Sequence, residues 1–175
     1  MKHFDYFAPT EIIFGAGRVT EAGALAARYG KKAMLVTVPE FPAVAELYAK
    51  VKKSLSDAGV ACVHYDGVIP NPTTELVTRG AELAKAEGVD VVIGLGGGSS
   101  MDTAKAIAVE ATHPGTAWDY NCHTAGPTEQ TLPILAISTT AGTGSQTTPC
   151  AVITRPVPRT KALSGTRIFS HAQPL

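Results

Sequence analysis

The chain has 175 residues, of which 45% are hydrophobic and 17% are charged, so we expect a globular protein with a sizeable core rather than a disordered chain. Its 15 Lys and Arg residues balance its 15 Asp and Glu residues, and a formal net charge of zero argues against a nucleic-acid-binding protein. No apolar run approaches the roughly 18 residues of a membrane span, the first residues lack the apolar region of a signal peptide, and three widely spaced cysteines indicate no disulfide framework. We therefore expect a cytoplasmic protein with neither a nucleic-acid partner nor a membrane partner.

Short apolar runs alternate with longer amphipathic stretches along the chain. Residues 1–17 are expected to form an N-terminal strand and turn, and a helix is expected over 19–29. Nearly continuous apolar runs are typical of strands buried on both faces, whereas apolar residues at three- and four-residue spacing are typical of helices. In chain order, the next predicted elements are a strand over 33–38, a helix over 44–58, a strand over 60–65, a helix over 76–88, a strand over 89–93, a helix over 99–111 and a strand over 132–137.

This alternation of strands and helices predicts the fold class. A strand, a crossover helix and a further strand form a βαβ unit, in which the two strands are parallel. We therefore expect an α/β fold with a Rossmann-like, doubly wound, mostly parallel sheet and helices on both of its faces, in a single domain over 1–175. The pattern weakens near the end, where residues 151–154 fit one more strand and an irregular end is expected over 151–175.

The strongest local signal is a glycine-rich turn between a predicted strand and a predicted helix. It reads GLGGGSSMD from Gly94 to Asp102. Glycines let the backbone approach a ligand closely, and the first N–H groups of a helix carry the positive end of its dipole. Strand, turn and helix start together predict a phosphate or pyrophosphate site. A turn capped by Ser99, with Asp102 completing a capping box, is the purely structural alternative, although it does not require three consecutive glycines.

Two further loops carry polar residues at the ends of predicted strands. The loop STTAGTGS at 138–145 follows the strand over 132–137, and ligands of open α/β sheets lie beyond the C-terminal ends of the strands. This loop and the glycine turn could therefore hold two ends of one elongated ligand, with a solvated polar loop as the alternative. In the stretch GVIPNPT at 67–73, the following proline is expected to hold Asn71 in an extended conformation, and a bare turn is the alternative.

Three stretches together resemble the iron-containing, or group III, alcohol dehydrogenase family. They are DGVIPNPT at 66–73, GGGSSMDTAKAIAV at 96–109 and LPILAISTTAGTGS at 132–145, and the resemblance runs from EIIFGAG at 11–17 to about Lys161. In that family an N-terminal α/β domain binds the dinucleotide NAD or NADP, and a helical domain that follows holds iron or zinc and most of the substrate pocket. The resemblance implies that this chain is the cofactor-binding half of an enzyme that transfers a hydride between an alcohol or aldehyde and nicotinamide.

The resemblance also implies roles for individual residues of this sequence. The pyrophosphate would be cradled by Gly97, Gly98 and Ser99, and Asp102 would lie on the nicotinamide side. The other implied cofactor contacts are Thr139, Thr140 and Thr143 to phosphate or ribose groups, Asn71 on the adenosine side, and Lys161 to a cofactor hydroxyl.

The sequence departs from the family pattern at places that bear on cofactor choice and on metal binding. Val38 stands where many NAD-preferring members have an Asp that hydrogen-bonds the ribose diol and repels a 2′-phosphate, so NAD and NADP both stay open. Gln146 replaces the acidic residue that usually follows the Gly-Thr-Gly-Ser run. The family's metal ligands, an Asp and three His, lie in the helical domain, and we therefore expect neither a metal site nor a catalytic residue within these 175 residues.

Two other functions stay open at this stage. The chain could be a stand-alone, non-catalytic nucleotide-binding module or a truncated fragment, and it could be a protein–protein element that uses the face normally covered by the helical domain. An uncovered apolar face favours self-association, so we expect a homo-oligomer.

Overall fold

A single parallel sheet organises the domain, in a computed structural model that describes His3, residues 9–120 and 126–156, and the backbone of 160–165. Its strands lie in the order β2–β1–β3–β4, and every neighbouring pair is parallel. The strands are β1 (Lys32–Val36), β2 (Ala61–Tyr65), β3 (Val91–Gly96) and β4 (Ile134–Ser138). The parallel, doubly wound sheet predicted from the sequence is therefore confirmed.

Helices cover both faces of this sheet, also as predicted. They are α1 (Ala22–Ala26), α2 (Pro42–Asp57), α3 (Thr74–Glu87) and α4 (Gly98–Glu110). Successive residues of a strand point to opposite faces, so Leu35 packs with α1 and α2, whereas its neighbour Met34 packs with α3 and α4. Both side chains are fully buried, and the strand sequence is nearly all apolar because each face meets a helix layer.

The strand order creates a switch point between β1 and β3. From β1 the chain passes through α2 to β2 on one side, and then through α3 to β3 on the other side. At such a point the connections leave the carboxyl ends of the two strands in opposite directions and open a crevice, which is where doubly wound folds bind ligands. The glycine turn after β3 lies at this edge of the sheet.

Two segments differ from the sequence-based expectation. Residues 9–14 form no strand, because no described strand offers them a backbone partner, and the side chains of Ile12 and Phe14 are 71% and 91% exposed. The strand suggested over 151–154 is present as β5 (Cys150–Arg155), but the irregular end expected over 151–175 is wrong for 160–165, where β6 (Thr160–Gly165) pairs with β5 as an antiparallel hairpin. The rest of that end, residues 166–175, lies outside the described residues.

Candidate dinucleotide-binding site

The glycine turn connects β3 directly to α4. Gly97 is the N-cap of α4 and has φ −83° and ψ −170°, an extended conformation open to any residue. No side chain caps the helix, so the alternative in which Ser99 is the N-cap is wrong. Because α4 has 13 residues, its uncapped start presents backbone N–H groups together with the positive end of a full helix dipole. A phosphate group is the kind of ligand that such a terminus attracts.

The threonine loop, which we define as residues 138–145, lies across a narrow gap from this turn. Parallel pairing sets Ser138 beside Gly96, and the Thr139 N–H donates to the Gly96 carbonyl at 3.0 Å. A Cβ added to Gly97 would lie 3.5 Å from Thr140 Oγ1. The structure thus brings the predicted threonines next to the predicted glycines, because β3 and β4 end side by side.

The second glycine of the turn has an even closer partner in the threonine loop. A Cβ added to Gly98 would lie 3.1 Å from Thr143 Oγ1, so a side chain there would occupy the gap itself. Thr139, Thr140 and Thr143 are all exposed on this side. The start of α4 and the hydroxyl groups of the threonine loop therefore lie side by side, and we call this pair of walls the cradle.

Asp102 lies one turn into α4 and is enclosed by protein groups. It is 8% exposed, Ser145 Oγ donates to its Oδ1 at 2.7 Å, and the Val152 N–H donates to its Oδ2 at 3.0 Å. The contact with nicotinamide that the resemblance implies stays a prediction. What the structure shows is a carboxylate that joins α4 to the threonine loop and to β5.

Lys105 is a residue that the sequence analysis missed. Its side chain is 2% exposed, and its Nζ donates to the Ser145 carbonyl and hydroxyl, at 2.6 Å and 2.8 Å, and to the carbonyls of Thr148 and Cys150, at 3.0 Å and 2.8 Å. One sequence signal could have found it: Asp102 and Lys105 stand three residues apart on a helix whose other residues, apart from Glu110 at its end, are small or apolar.

Val38 lies at the other wall of the crevice, just beyond β1. Its side chain is half-buried and packs against the core, and its carbonyl accepts hydrogen bonds from Thr37 Oγ1 at 2.7 Å and from the Tyr48 hydroxyl at 3.3 Å. Because the Thr37 hydroxyl donates its proton there, it accepts from His64 Nε2, at 2.9 Å. Burial lowers the pKa of His64 below its ordinary value. The place beside the ribose that the resemblance implies for Val38 stays a prediction, and the structure shows a half-buried apolar side chain there.

Asn71 does not adopt the extended conformation predicted for it. Its φ is +54°, in the left-handed region, and its side chain is exposed. The proline that follows disfavours the right-handed helical region, and asparagine tolerates the left-handed region better than most residues do. A hydrogen bond connects the turn to β5, since the Thr154 N–H of that strand donates to the Pro72 carbonyl at 2.8 Å. Lys161 lies on β6 opposite Thr154, and its side chain is outside the described part of the structure.

A cavity of about 1180 Å³ borders the site along the free edge of the sheet. Its walls include β4, Thr139 and Thr140 of the threonine loop, and the N-terminal stretch at 9–15, but not Gly97 or Gly98. Among the residues described, no three His, Cys, Asp or Glu side chains are grouped so that they could hold a metal ion. In the same part of the chain, no helix has the length and apolar character needed to cross a membrane.

The strand order and the glycine turn at the start of α4 define a Rossmann-like α/β domain of the doubly wound class. A comparison with family models makes the assignment more specific, because the model of the iron-containing alcohol dehydrogenases matches residues 9–172. The chain belongs to that family, as the sequence motifs predicted.

Individual relatives agree with this assignment. A choline dehydrogenase of Bacillus subtilis (strain 168) is 46% identical over 158 residues, which are 88% of this chain and 39% of that protein. An NAD-dependent methanol dehydrogenase of Bacillus methanolicus is 36% identical over 150 residues, or 86% and 39% of the two chains. The crystal structure of an archaeal halo-thermophilic Red Sea brine pool alcohol dehydrogenase bound to NZQ superposes with a TM-score of 0.87 at 40% identity, covering 95% of this chain and 45% of that one. The chain therefore spans about two fifths of the length of the curated relatives that it matches.

Proposed function

We propose that these residues are the NAD(P)-binding half of an NAD(P)- and metal-dependent alcohol dehydrogenase. The observation that carries the proposal is the cradle between α4 and the threonine loop, where a Cβ at Gly97 or Gly98 would lie within 3.5 Å of a threonine hydroxyl. A gap with N–H donors on one wall and hydroxyls on the other fits the pyrophosphate of a dinucleotide. The family membership and the NAD dependence named for one relative support the same function.

Each group of the site has a defined task in this proposal. The N–H groups at the start of α4, at Gly98 and Ser99, donate to phosphate oxygens, and the hydroxyls of Thr140 and Thr143 donate from the opposite wall. Asn71, on its left-handed turn, lines the adenosine side of the crevice, and Lys161 reaches a cofactor hydroxyl. A bound dinucleotide would supply the hydride acceptor or donor, while this domain supplies its position and orientation.

The end of β1 bears on the choice between NAD and NADP. Val38 offers neither a carboxylate for the ribose diol nor a repulsive charge against a 2′-phosphate, and we propose that the site accepts both cofactors. Replacing Val38 with Asp should raise the ratio of NAD to NADP affinity several-fold, because a carboxylate accepts from both ribose hydroxyls and repels the phosphate. Calorimetric titration with both cofactors measures the ratio, and Val38→Asn is the matched uncharged control. An unchanged ratio in a folded Val38→Asp chain would show that the ribose lies elsewhere.

We further propose that oxidation of the alcohol requires groups outside these residues. The resemblance puts the metal ligands in a helical domain, and without a Lewis acid an alcohol keeps its high pKa and loses hydride slowly. The purified 175-residue chain should therefore bind NADH in a calorimetric titration and should not reduce NAD or NADP when iron or zinc and short-chain alcohols are added. Stoichiometric metal together with alcohol-dependent cofactor reduction would contradict this proposal, and a folded chain that binds none of NAD, NADH, NADP and NADPH would contradict the binding function itself.

The remaining partners stay proposals as well. Ile12 and Phe14 expose large apolar side chains, and association of two copies of the chain would cover surface of this kind. This proposed function also includes three expectations from the sequence: a homo-oligomer, a small alcohol or aldehyde as substrate, and a cytoplasmic location.

A further inference from the structure

Lys105 presents a buried cation whose hydrogen bonds all go to one short segment of chain. Its ammonium has four acceptors within 3.0 Å, on Ser145, Thr148 and Cys150, and its nearest carboxylate oxygen, on Asp102, is 3.8 Å away. Burying an ammonium is costly unless such acceptors replace water. Burial lowers the pKa of Lys105, and the Asp102 carboxylate opposes that shift. A charge kept in this position needs an explanation.

The acceptors show what the charge holds. They lie on the segment at 145–150, which connects the threonine loop to β5 and contains only a short 3₁₀ turn over Ser145–Thr147. Asp102 holds the chain on both sides of this segment, through Ser145 Oγ at its start and through the Val152 N–H of β5, two residues beyond its end. Two charged residues of α4 thus tie an otherwise irregular stretch of backbone to the helix that carries the glycine turn.

A single hydrogen bond connects the segment at 145–150 to the cradle. The Ser145 N–H donates to Thr143 Oγ1 at 3.3 Å, and this same oxygen faces Gly98. Lys105 stands seven residues after Gly98, about 10 Å along the helix axis between the two Cα atoms, and its ammonium, on a side chain that is 2% exposed, is enclosed by acceptors on Ser145, Thr148 and Cys150. Lys105 therefore acts on the cradle through Ser145 and Thr143 rather than by touching a ligand.

We propose that Lys105 is a positioning residue that holds the threonine loop against the glycine turn, so that the dinucleotide site is formed before the ligand arrives. The inference rests on the proposed function, since it concerns the same site. A preformed cradle binds the dinucleotide more tightly than a loose one, because no binding energy is spent on ordering the loop.

The test uses Lys105→Ala in the 175-residue chain, with Lys53→Ala as the matched control, since the Lys53 side chain is 75% exposed on α2. NADH affinity from calorimetry should fall by about tenfold or more in Lys105→Ala and should not change in Lys53→Ala. Propylammonium chloride should restore much of the lost affinity, because it replaces the missing carbons and the ammonium. Sodium chloride at the same ionic strength should not, whereas a merely structural loss would respond to neither salt.

A second readout reports on the loop without any ligand. Amide hydrogen exchange over 139–148 should be faster in ligand-free Lys105→Ala than in the wild type, with exchange in β1 and β3 unchanged. Wild-type NADH affinity and wild-type loop exchange in folded Lys105→Ala would overturn the inference. If Lys105→Ala does not fold, Lys105→Met keeps most of the side-chain volume and removes the ammonium, and unchanged affinity and exchange in that variant would overturn the inference equally. A wild-type chain that binds no dinucleotide would instead refute the proposed function, while the exchange comparison would still decide the role of Lys105 in the loop.

Discussion

Replacing Gly97 with valine should weaken NADH binding by about tenfold or more, which corresponds to about 1.4 kcal/mol, and should leave the free energy of unfolding nearly unchanged. The backbone at Gly97 is extended, so valine can adopt it without strain. Its Cβ would lie 3.5 Å from Thr140 Oγ1, an ordinary contact, so the fold can accept the substitution. The branched side chain would then fill the space that the pyrophosphate needs.

The comparison that isolates this effect is Gly97→Ala, which adds one carbon at the same place and should lose less affinity than valine. Calorimetric titration gives the affinities, and denaturant unfolding shows that both variants are as stable as the wild type. Unchanged NADH affinity in a folded Gly97→Val chain would remove the phosphate-binding role from the glycine turn.

Replacing Gly94 with valine should, unlike Gly97→Val, act mainly on stability and greatly lower the free energy of unfolding. A Cβ at Gly94 would lie 2.9 Å from Ala104 Cβ and 3.0 Å from Met101 Cα, both of them fixed parts of α4. The helix would have to move away from β3, at a cost of about 3 kcal/mol, the upper part of the range for overpacked cores. Thermal unfolding should therefore shift down by about 6–12 °C.

Ile93→Val is the matched control for this second variant, because it changes the adjacent buried residue without adding volume. It should cost about 1 kcal/mol. A Gly94→Val chain as stable as Ile93→Val would show that α4 is free to move from the sheet, contrary to the close packing seen here. Together, the variants at Gly94 in β3 and at Gly97 in the turn should separate two uses of glycine, close packing and ligand approach.

Much of the fold could be predicted from the sequence because local patterns carry it. The strands β1 and β3 are apolar on both faces, and α2 and α3 each have one apolar face, so the alternation of elements and the parallel sheet follow directly. The cradle was predictable for the same reason: once β3 and β4 are recognised as parallel neighbours, the loops that follow them must meet.

The features that the sequence analysis did not predict share one cause, because each depends on contacts between residues far apart in the chain. Asn71 was expected to be extended from its proline alone, but the turn also has to meet β5 through the Pro72 carbonyl. The hairpin of β5 and β6 depends on pairing between strands with weak individual patterns. Lysine on a helix is usually exposed, and the burial of Lys105 depends on carbonyls of a segment 40 to 45 residues further along the chain.

The place of β5 in the chain has a consequence for the order in which the domain assembles during synthesis. The four strands of the sheet are complete at Ser138, before any carbonyl that receives the Lys105 ammonium has been made. The sheet can therefore form while α4 still keeps its buried charges in water. Contacts between residues far apart in sequence form slowly, and the bond from the Thr154 N–H to the Pro72 carbonyl joins residues 82 positions apart. A nascent chain that ends before Ser145 therefore has the sheet, with the two loops already side by side through the pairing of β3 with β4, but none of the groups by which Asp102 and Lys105 hold the segment at 145–150.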